Sequence, residues 1–155
     1  MSTVDIKTLV RRYYEEVVST GAVHRVPEFI SADYAELYNN VTYPVGIEGA
    51  KEHILGVRRT YPDLRVTVEQ QIAEGEWVVS RVTAKGTHEG VWLGMRPSGK
   101  VLEMTGVNVD RVVGGVIVEH GGAANLLEPL LEAGAILVAD PVGGPGIDGK
   151  TEGGP

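Results

Sequence analysis

Two long runs of alternating apolar and polar residues constrain the fold of this 155-residue chain more than any other feature. Residues 77–88 and 101–113 follow the period of two that is typical of half-buried strands. Between these runs, residues 86–100 read GTHEGVWLGMRPSGK, where Gly and Pro mark the tip of a hairpin. Gly114 and Gly115 then predict a tight turn into a strand at residues 116–120. We therefore expect a sheet with long antiparallel strands.

The rest of the chain predicts an α+β fold. Two shorter strands are expected at residues 34–38 and 64–69, with a loop at residues 39–46. Helices followed by antiparallel strands favour a curved sheet wrapped around the N-terminal helices, with a pocket at one end. Apolar residues recur at helical spacing in four segments, residues 2–20, 23–30, 47–61 and 126–137, the last of which follows a Gly-rich connection.

Length and composition predict one globular domain over residues 1–138. The Gly- and Pro-rich residues 139–155 bury too little apolar surface to offset their ordering entropy and are expected to form a tail. A net charge of −7 argues against a nucleic-acid surface, and no apolar run is long enough to cross a membrane. The absence of cysteine excludes disulfides and thiolate chemistry. These features favour a cytoplasmic protein that binds a small hydrophobic molecule.

The hairpin segment carries a resemblance to a known family. Residues 86–100 resemble the GTHxGxxxGxxPTG(R/K) segment of the SnoaL-like polyketide cyclases. The order and spacing of other segments agree: YPDL at residues 61–64, AEGEWVVSR at 73–81 and GVIVEH at 115–120. The chain departs from the family after His120, where Gly121 and Gly122 replace a Trp-Asp pair and Asn125 occupies a later acidic position.

The resemblance implies a cone-shaped α+β barrel of the nuclear transport factor two-like superfamily, commonly a homodimer, with a deep pocket. It also implies ring closure in polyketide biosynthesis by acid/base catalysis with neither a metal nor an organic cofactor. Because the usual carboxylate is replaced, aldol chemistry and oxygen attack on an epoxide or unsaturated acceptor are both consistent with the sequence. The alternatives are a non-catalytic binding protein of the same fold and an interaction module that uses the sheet face and has no enclosed cavity.

Five residues are predicted to be catalytic. His88 lies on the apolar face of its strand, although it could instead be a structural histidine that bridges the hairpin. His120 ends the last strand beside two glycines, although it could instead be a surface histidine next to a flexible turn. Asp110 could orient a histidine or act as a base, and its alternative is an exposed charge near the turn. Glu103 has the opposite strand parity, which a bulge would reverse. Tyr43, in the predicted loop, could donate a proton.

A second group is predicted to bind substrate. Asn108 shares the inward face of its strand with Met104, and a polar side chain on such a face needs a partner. Trp92 and Met95 at the hairpin tip are expected to form either a wall over the pocket or a dimer contact. Three phenols could also line it: Tyr14, Tyr34 and Tyr38. Two inward titratable groups within about 3.5 Å would favour an enzyme over a binding protein.

Overall fold

A computed structural model describes residues 1–139 of the chain. The predicted tail, apart from Ala139, lies outside the described residues. Helix α1 (Thr3–Arg12) continues directly into a π-helical segment (Tyr13–Val18), and a 3₁₀ helix (Val23–Glu28) follows. The remaining helices are α2 (Gly46–Thr60) and α3 (Leu127–Glu132). No helix among residues 1–139 is long and apolar enough to cross a membrane.

Six strands form one curved, unclosed sheet, which confirms the α+β prediction. They are β1 (Ile30–Tyr38), β2 (Val41–Pro44), β3 (Arg65–Glu74), β4 (Trp77–Thr87), β5 (Val101–Val113) and β6 (Val116–Ala124). Their order is β2-β1-β6-β5-β4-β3. Neighbours run antiparallel except β1 and β6, which run parallel and join the N-terminal part of the sheet to its C-terminal part.

The structure corrects two local predictions. Residues 41–44 lie in strand β2 and not in a loop, because they pair with the end of β1. Strand β6 continues past His120 through Gly121 and Gly122, because both glycines are paired with β5. A Cβ atom at Gly122 would lie only 2.7 Å from the carbonyl oxygen of Val107, so the strands approach too closely there for a side chain.

The core has two apolar clusters. One cluster packs α1 and the π-helical segment against the sheet, with Val10, Val17 and Val78 fully buried. The other surrounds Leu102 and Leu130 near α3. A cavity of about 920 Å³ is lined by residues of both clusters, so curvature of the sheet has left a pocket as predicted.

Candidate active site

Most of the cavity wall is apolar or aromatic, and its polar groups lie on a few neighbouring elements. Six residues predicted as site residues line it: Tyr14, Tyr34, Trp92, Met104, Asn108 and His120. The shared inward face predicted for Met104, Asn108 and Asp110 is confirmed by the regular pairing of β5 with β4. A large apolar pocket with a few convergent polar groups is the usual form of a small-molecule site.

Three of the predicted residues form a hydrogen-bonded group in the cavity wall. His120 Nδ1 lies 2.9 Å from Asp110 Oδ1, and the Tyr14 hydroxyl donates to Asp110 Oδ2 at 2.7 Å. The Tyr14 oxygen is also 3.3 Å from His120 Nδ1. Asp110 is only 1% exposed, whereas the His120 side chain is 23% exposed. The carboxylate is thus held behind the imidazole, which faces the cavity.

A bulge in β6 brings His120 opposite Asp110. Near the turn Val112 pairs with Ile117, but beyond an extra residue, Val118, the register has moved by one and Asp110 pairs with His120. An uninterrupted ladder would have placed the residue before His120 opposite Asp110 and turned the imidazole to the other face of the sheet. The bulge therefore determines that histidine, not glutamate, faces the cavity.

The π-helical segment supplies the third member of the group. Its wider turns are closed by hydrogen bonds from Ser19 N to Tyr14 O and from Ala22 N to Val17 O. Tyr13, Tyr14 and Val17 are all buried in this segment. Single π-helical turns inside α-helices occur frequently at functional sites. Here the turn directs the Tyr14 hydroxyl at Asp110.

The surroundings of His120 and Tyr14 shift their protonation equilibria. Burial opposes the charged imidazolium, but the hydrogen bond to Asp110 and the charges of Asp110 and Glu36 outweigh it, so the pKa of His120 is raised. Burial raises the pKa of Tyr14 well above its ordinary range. The negative charge of Asp110 and the hydrogen bond to its carboxylate raise this pKa further. Tyr14 is therefore a neutral donor that helps to fix the carboxylate.

The tautomer of His120 follows from its partner. A carboxylate only accepts hydrogen bonds, so neutral His120 carries its proton on Nδ1, which donates to Asp110. The lone pair is then on Nε2, which makes no hydrogen bond with any of residues 1–139. This atom is not among the fully buried side-chain atoms that have no partner, so it is accessible from the cavity. A histidine held in this way can take a proton from a molecule in the cavity.

Sequence reasoning missed a second carboxylate–imidazole pair in the cavity wall. Glu36 on β1 and His53 on α2 both line the cavity, and His53 Nδ1 lies 2.8 Å from Glu36 Oε1. A partial signal was available. Glu36 shares a strand face with Tyr34, and His53 lies between buried Ala50 and buried Ile54 on the helix. Helical periodicity thus puts His53 at the border of the apolar stripe.

His88 does not line the cavity. It is fully buried beneath the hairpin, where its Nδ1 accepts a hydrogen bond from Ser98 N at 3.3 Å and its backbone bonds to Lys100 and Gly99. Its ring lies 5.7 Å from that of Tyr61. The His88 side chain lies on the apolar side of the sheet, as its strand parity predicts. Strand β4 ends just before this residue, however, and the chain then turns into the hairpin. This position fits a structural histidine that bridges the hairpin, but its Nε2 atom is buried with no hydrogen-bond partner among residues 1–139.

Three other predicted residues also lie away from the cavity wall. Glu103 is on the opposite face of β5, 3.9 Å from Lys85, because no bulge reverses its parity. Tyr43 lies on edge strand β2 and is 47% exposed. Tyr38, at the end of β1, is 68% exposed. Trp92 lines the cavity as expected. Met95 pairs with Trp92 in a short bridge at the hairpin tip but is not among the residues that line the cavity.

Comparison with known proteins adds a family and a fold. A sequence model described as SnoaL-like polyketide cyclase matches residues 8–132. TsrD of Streptomyces laurentii has a similar structure, with a TM-score of 0.77 and 22% identity over 88% of this chain and 99% of its own. AclR of Streptomyces galilaeus, provisionally described as a hydroxylase, has a TM-score of 0.76 and 23% identity over 88% and 89%.

A third structural relative is provisionally described as a polyketide cyclase. It is IdmH of Streptomyces antibioticus, with a TM-score of 0.71 and 25% identity over 84% of this chain and 99% of its own. No curated protein sequence matches the chain. The structural likenesses establish the fold, and the match over residues 8–132 covers both the Asp110–His120 hairpin and the Glu36–His53 pair.

Proposed function

Because this chain belongs to the SnoaL-like polyketide cyclase family, we propose that it closes a ring in a polyketide or related natural-product intermediate by acid/base catalysis. The observation that carries this proposal is the Asp110–His120 hydrogen bond of 2.9 Å in the wall of an apolar cavity. A pocket that only binds an apolar molecule has no need of a buried carboxylate behind an accessible imidazole. The pair therefore favours an enzyme over a non-catalytic binding protein.

The proposed first step is proton transfer to His120 Nε2. In an aldol closure the proton comes from carbon, and in an ether closure it comes from a hydroxyl group of the same substrate. Asp110 stabilises the imidazolium that forms, and Tyr14 holds the carboxylate in place with its own hydrogen bond. The resulting nucleophile attacks a carbonyl, epoxide or unsaturated carbon elsewhere in the molecule, so the product is an isomer of the substrate before any loss of water.

The cavity supplies the other part of the rate. Its volume of about 920 Å³ suits a bulky substrate, and its aromatic wall, including Trp92 and Tyr34, limits the conformations of a flexible chain. Holding two ends of one molecule in reactive geometry can contribute roughly 7–11 kcal/mol. Asn108, which also lines the cavity, is a candidate to bind a carbonyl oxygen. Homodimer formation and a cytoplasmic location stay predictions.

Turnover of linear hydroxy-epoxide and polyketide-type precursors tests the proposal. We expect the folded His120→Ala variant to close the ring about 100- to 10,000-fold more slowly than wild type, because the base is lost. His24→Ala is the matched control, since His24 is exposed and lies outside the cavity wall. It should retain wild-type activity.

Two results would contradict this assignment. Undiminished ring closure by His120→Ala would remove His120 from the mechanism, and selective loss in a folded His88→Ala variant would move the base to the hairpin. Absence of product with every precursor, combined with tight binding of the same precursors, would favour the binding protein.

The pH dependence of ring closure provides a second prediction. His120 must be neutral to accept a proton, so kcat/KM should rise with pH through the raised pKa of His120. Asp110, Glu36 and Tyr14 face the ring, and both carboxylates favour the imidazolium. The midpoint should therefore lie above the ordinary histidine value of about 6.5.

The same titration can be followed directly by NMR of the His120 ring. In Asp110→Asn the hydrogen-bonded charge is gone while burial remains, so the pKa of His120 should fall relative to wild type. An unchanged His120 titration in this variant would show that Asp110 does not set the basicity of the imidazole.

A further inference from the structure

The Glu36–His53 pair stands beside the Asp110–His120 pair in the same wall. Glu36 on β1 and His120 on β6 are register partners in neighbouring parallel strands, which lie about 4.8 Å apart. Their charges interact across this distance, since Glu36 helps to raise the pKa of His120 and His120 helps to lower that of Glu36. The cavity thus presents two imidazoles, each backed by its own carboxylate.

The two imidazoles differ in their access to water. The His53 side chain is 52% exposed, whereas that of His120 is 23% exposed. Each uses Nδ1 to bond its carboxylate, and neither Nε2 has a hydrogen-bond partner among residues 1–139. His53 therefore lies at the cavity mouth with one nitrogen available to a ligand and in exchange with solvent, while His120 lies deeper.

Glu36 differs from the carboxylates in the surface ion pairs of this protein. Its side chain is partly buried, and the Tyr34 hydroxyl donates to the same Oε1 atom that His53 contacts, at 3.4 Å. Burial opposes its charge, but the hydrogen bond and charge of His53 outweigh this, and the pKa of Glu36 is lowered. The Glu36 carboxylate accepts from Nδ1, so a protonated His53 has its Nε2–H free for a ligand in the cavity.

We propose that Glu36 and His53 form the proton-donor site of the cavity, which binds the substrate oxygen on which negative charge develops. This inference rests on the proposed function, and it specifies the substrate class. The substrate should carry a C–H or O–H group that reaches His120 and a carbonyl or epoxide oxygen that reaches His53. Tyr34 holds Glu36 and is a positioning residue.

The proton balance of this arrangement closes. His120 Nε2 takes a proton from the nucleophilic atom, and that atom forms a bond to the electrophilic carbon. The electron pair of the C=O π bond, or of the epoxide C–O bond, moves to oxygen, which takes the proton from His53 Nε2. The enzyme is left with protonated His120 and neutral His53. His120 then releases its proton to water and His53 takes a proton from water, since both side chains are partly exposed, which restores the starting state.

Binding of an oxyanion probe tests this site without any turnover. The probe is 1-nitro-2-naphthol at a pH where it is an anion, and 1-nitronaphthalene is its neutral counterpart. Wild type should prefer the anion, because a hydrogen bond to a charged oxygen is stronger than one to a neutral group. His53→Ala should reduce that preference by roughly tenfold or more, with unchanged affinity for 1-nitronaphthalene.

Comparison variants separate this site from its neighbour. Glu36→Gln should weaken anion binding in the same direction as His53→Ala, whereas His24→Ala should bind both probes as wild type does. Wild type with no preference for the anion would overturn the proposal. So would a preference that survives His53→Ala and disappears in His120→Ala. Neither result bears on the ring-closure assay of His120→Ala, so failure of this site and failure of the cyclase proposal can be told apart.

Discussion

Replacement of Asp110 by Asn is expected to lower kcat for ring closure by about 100- to 1,000-fold in a protein that still folds. The amide has nearly the shape of the carboxylate but no charge, so the His120 imidazolium loses its buried counter-ion. The Tyr14 hydroxyl donates to Asp110 Oδ2, and an amide NH₂ placed there would require this hydroxyl to turn and accept instead. The opposite amide orientation keeps the Tyr14 hydroxyl as the donor, but it points the NH₂ group at His120 Nδ1.

Such an orientation would reverse the histidine tautomer. If the amide introduced by Asp110→Asn donates to Nδ1, the proton of neutral His120 moves to Nε2, and the lone pair no longer faces the cavity. Single-turnover rates of wild type and Asp110→Asn, measured with the same precursor, would report this loss. A ¹⁵N spectrum of the ring would show which nitrogen carries the proton.

Two further variants calibrate the result. Asp33→Asn is the matched control, because Asp33 is an exposed carboxylate outside the cavity wall, and it should change kcat by less than about twofold. Tyr14→Phe leaves the Asp110–His120 bond in place and should cost less than Asp110→Asn. Near-wild-type turnover by a folded Asp110→Asn protein would mean that the carboxylate does not support the base.

Site residues could be predicted correctly from the sequence where their strand is regular. Strand β5 has no bulge, so its alternation correctly placed Met104, Asn108 and Asp110 on the inward face. His120 depended on the bulge at Val118, for which the sequence has no marker. Its place near the pocket could be proposed only from the two glycines beside it.

The errors lie where the chain leaves regular structure or where elements distant in sequence meet. His88 has the predicted parity, but the chain turns after β4 and buries the ring under the hairpin. Tyr43 is predicted to lie in a loop because β2 is too short to have a strand pattern of its own. This segment becomes a strand only by pairing with β1. Glu36 and His53 meet across a strand and a helix, and their contact depends on how α2 packs over β1, which no local pattern specifies.

Substitution of Gly90 by Ala is expected to destabilise the protein by about 3 kcal/mol or more. A Cβ atom at this position would lie 2.1 Å from the carbonyl oxygen of Arg59 and 2.8 Å from the Cα atom of Thr60, both of which are backbone atoms. No side-chain rotation can relieve such a contact. The amides of Glu89 and Gly90 both donate to the Thr60 carbonyl, so the hairpin would have to separate from the end of α2 and lose these bonds.

Thermal or urea unfolding compares the destabilisation expected for Gly90→Ala with the stabilisation expected for Gly56→Ala. Gly56 lies within α2, where a Cβ atom meets only the tip of the Arg59 side chain at 3.5 Å, an ordinary contact. Alanine there should stabilise the protein by about 0.5–1 kcal/mol, since glycine is a poor helix former. Gly90→Ala should lower Tm by about 6–12 °C. Equal Tm values for the two variants would mean that the hairpin does not pack on α2 this closely, and that Gly90 in the GTHEG segment has another role.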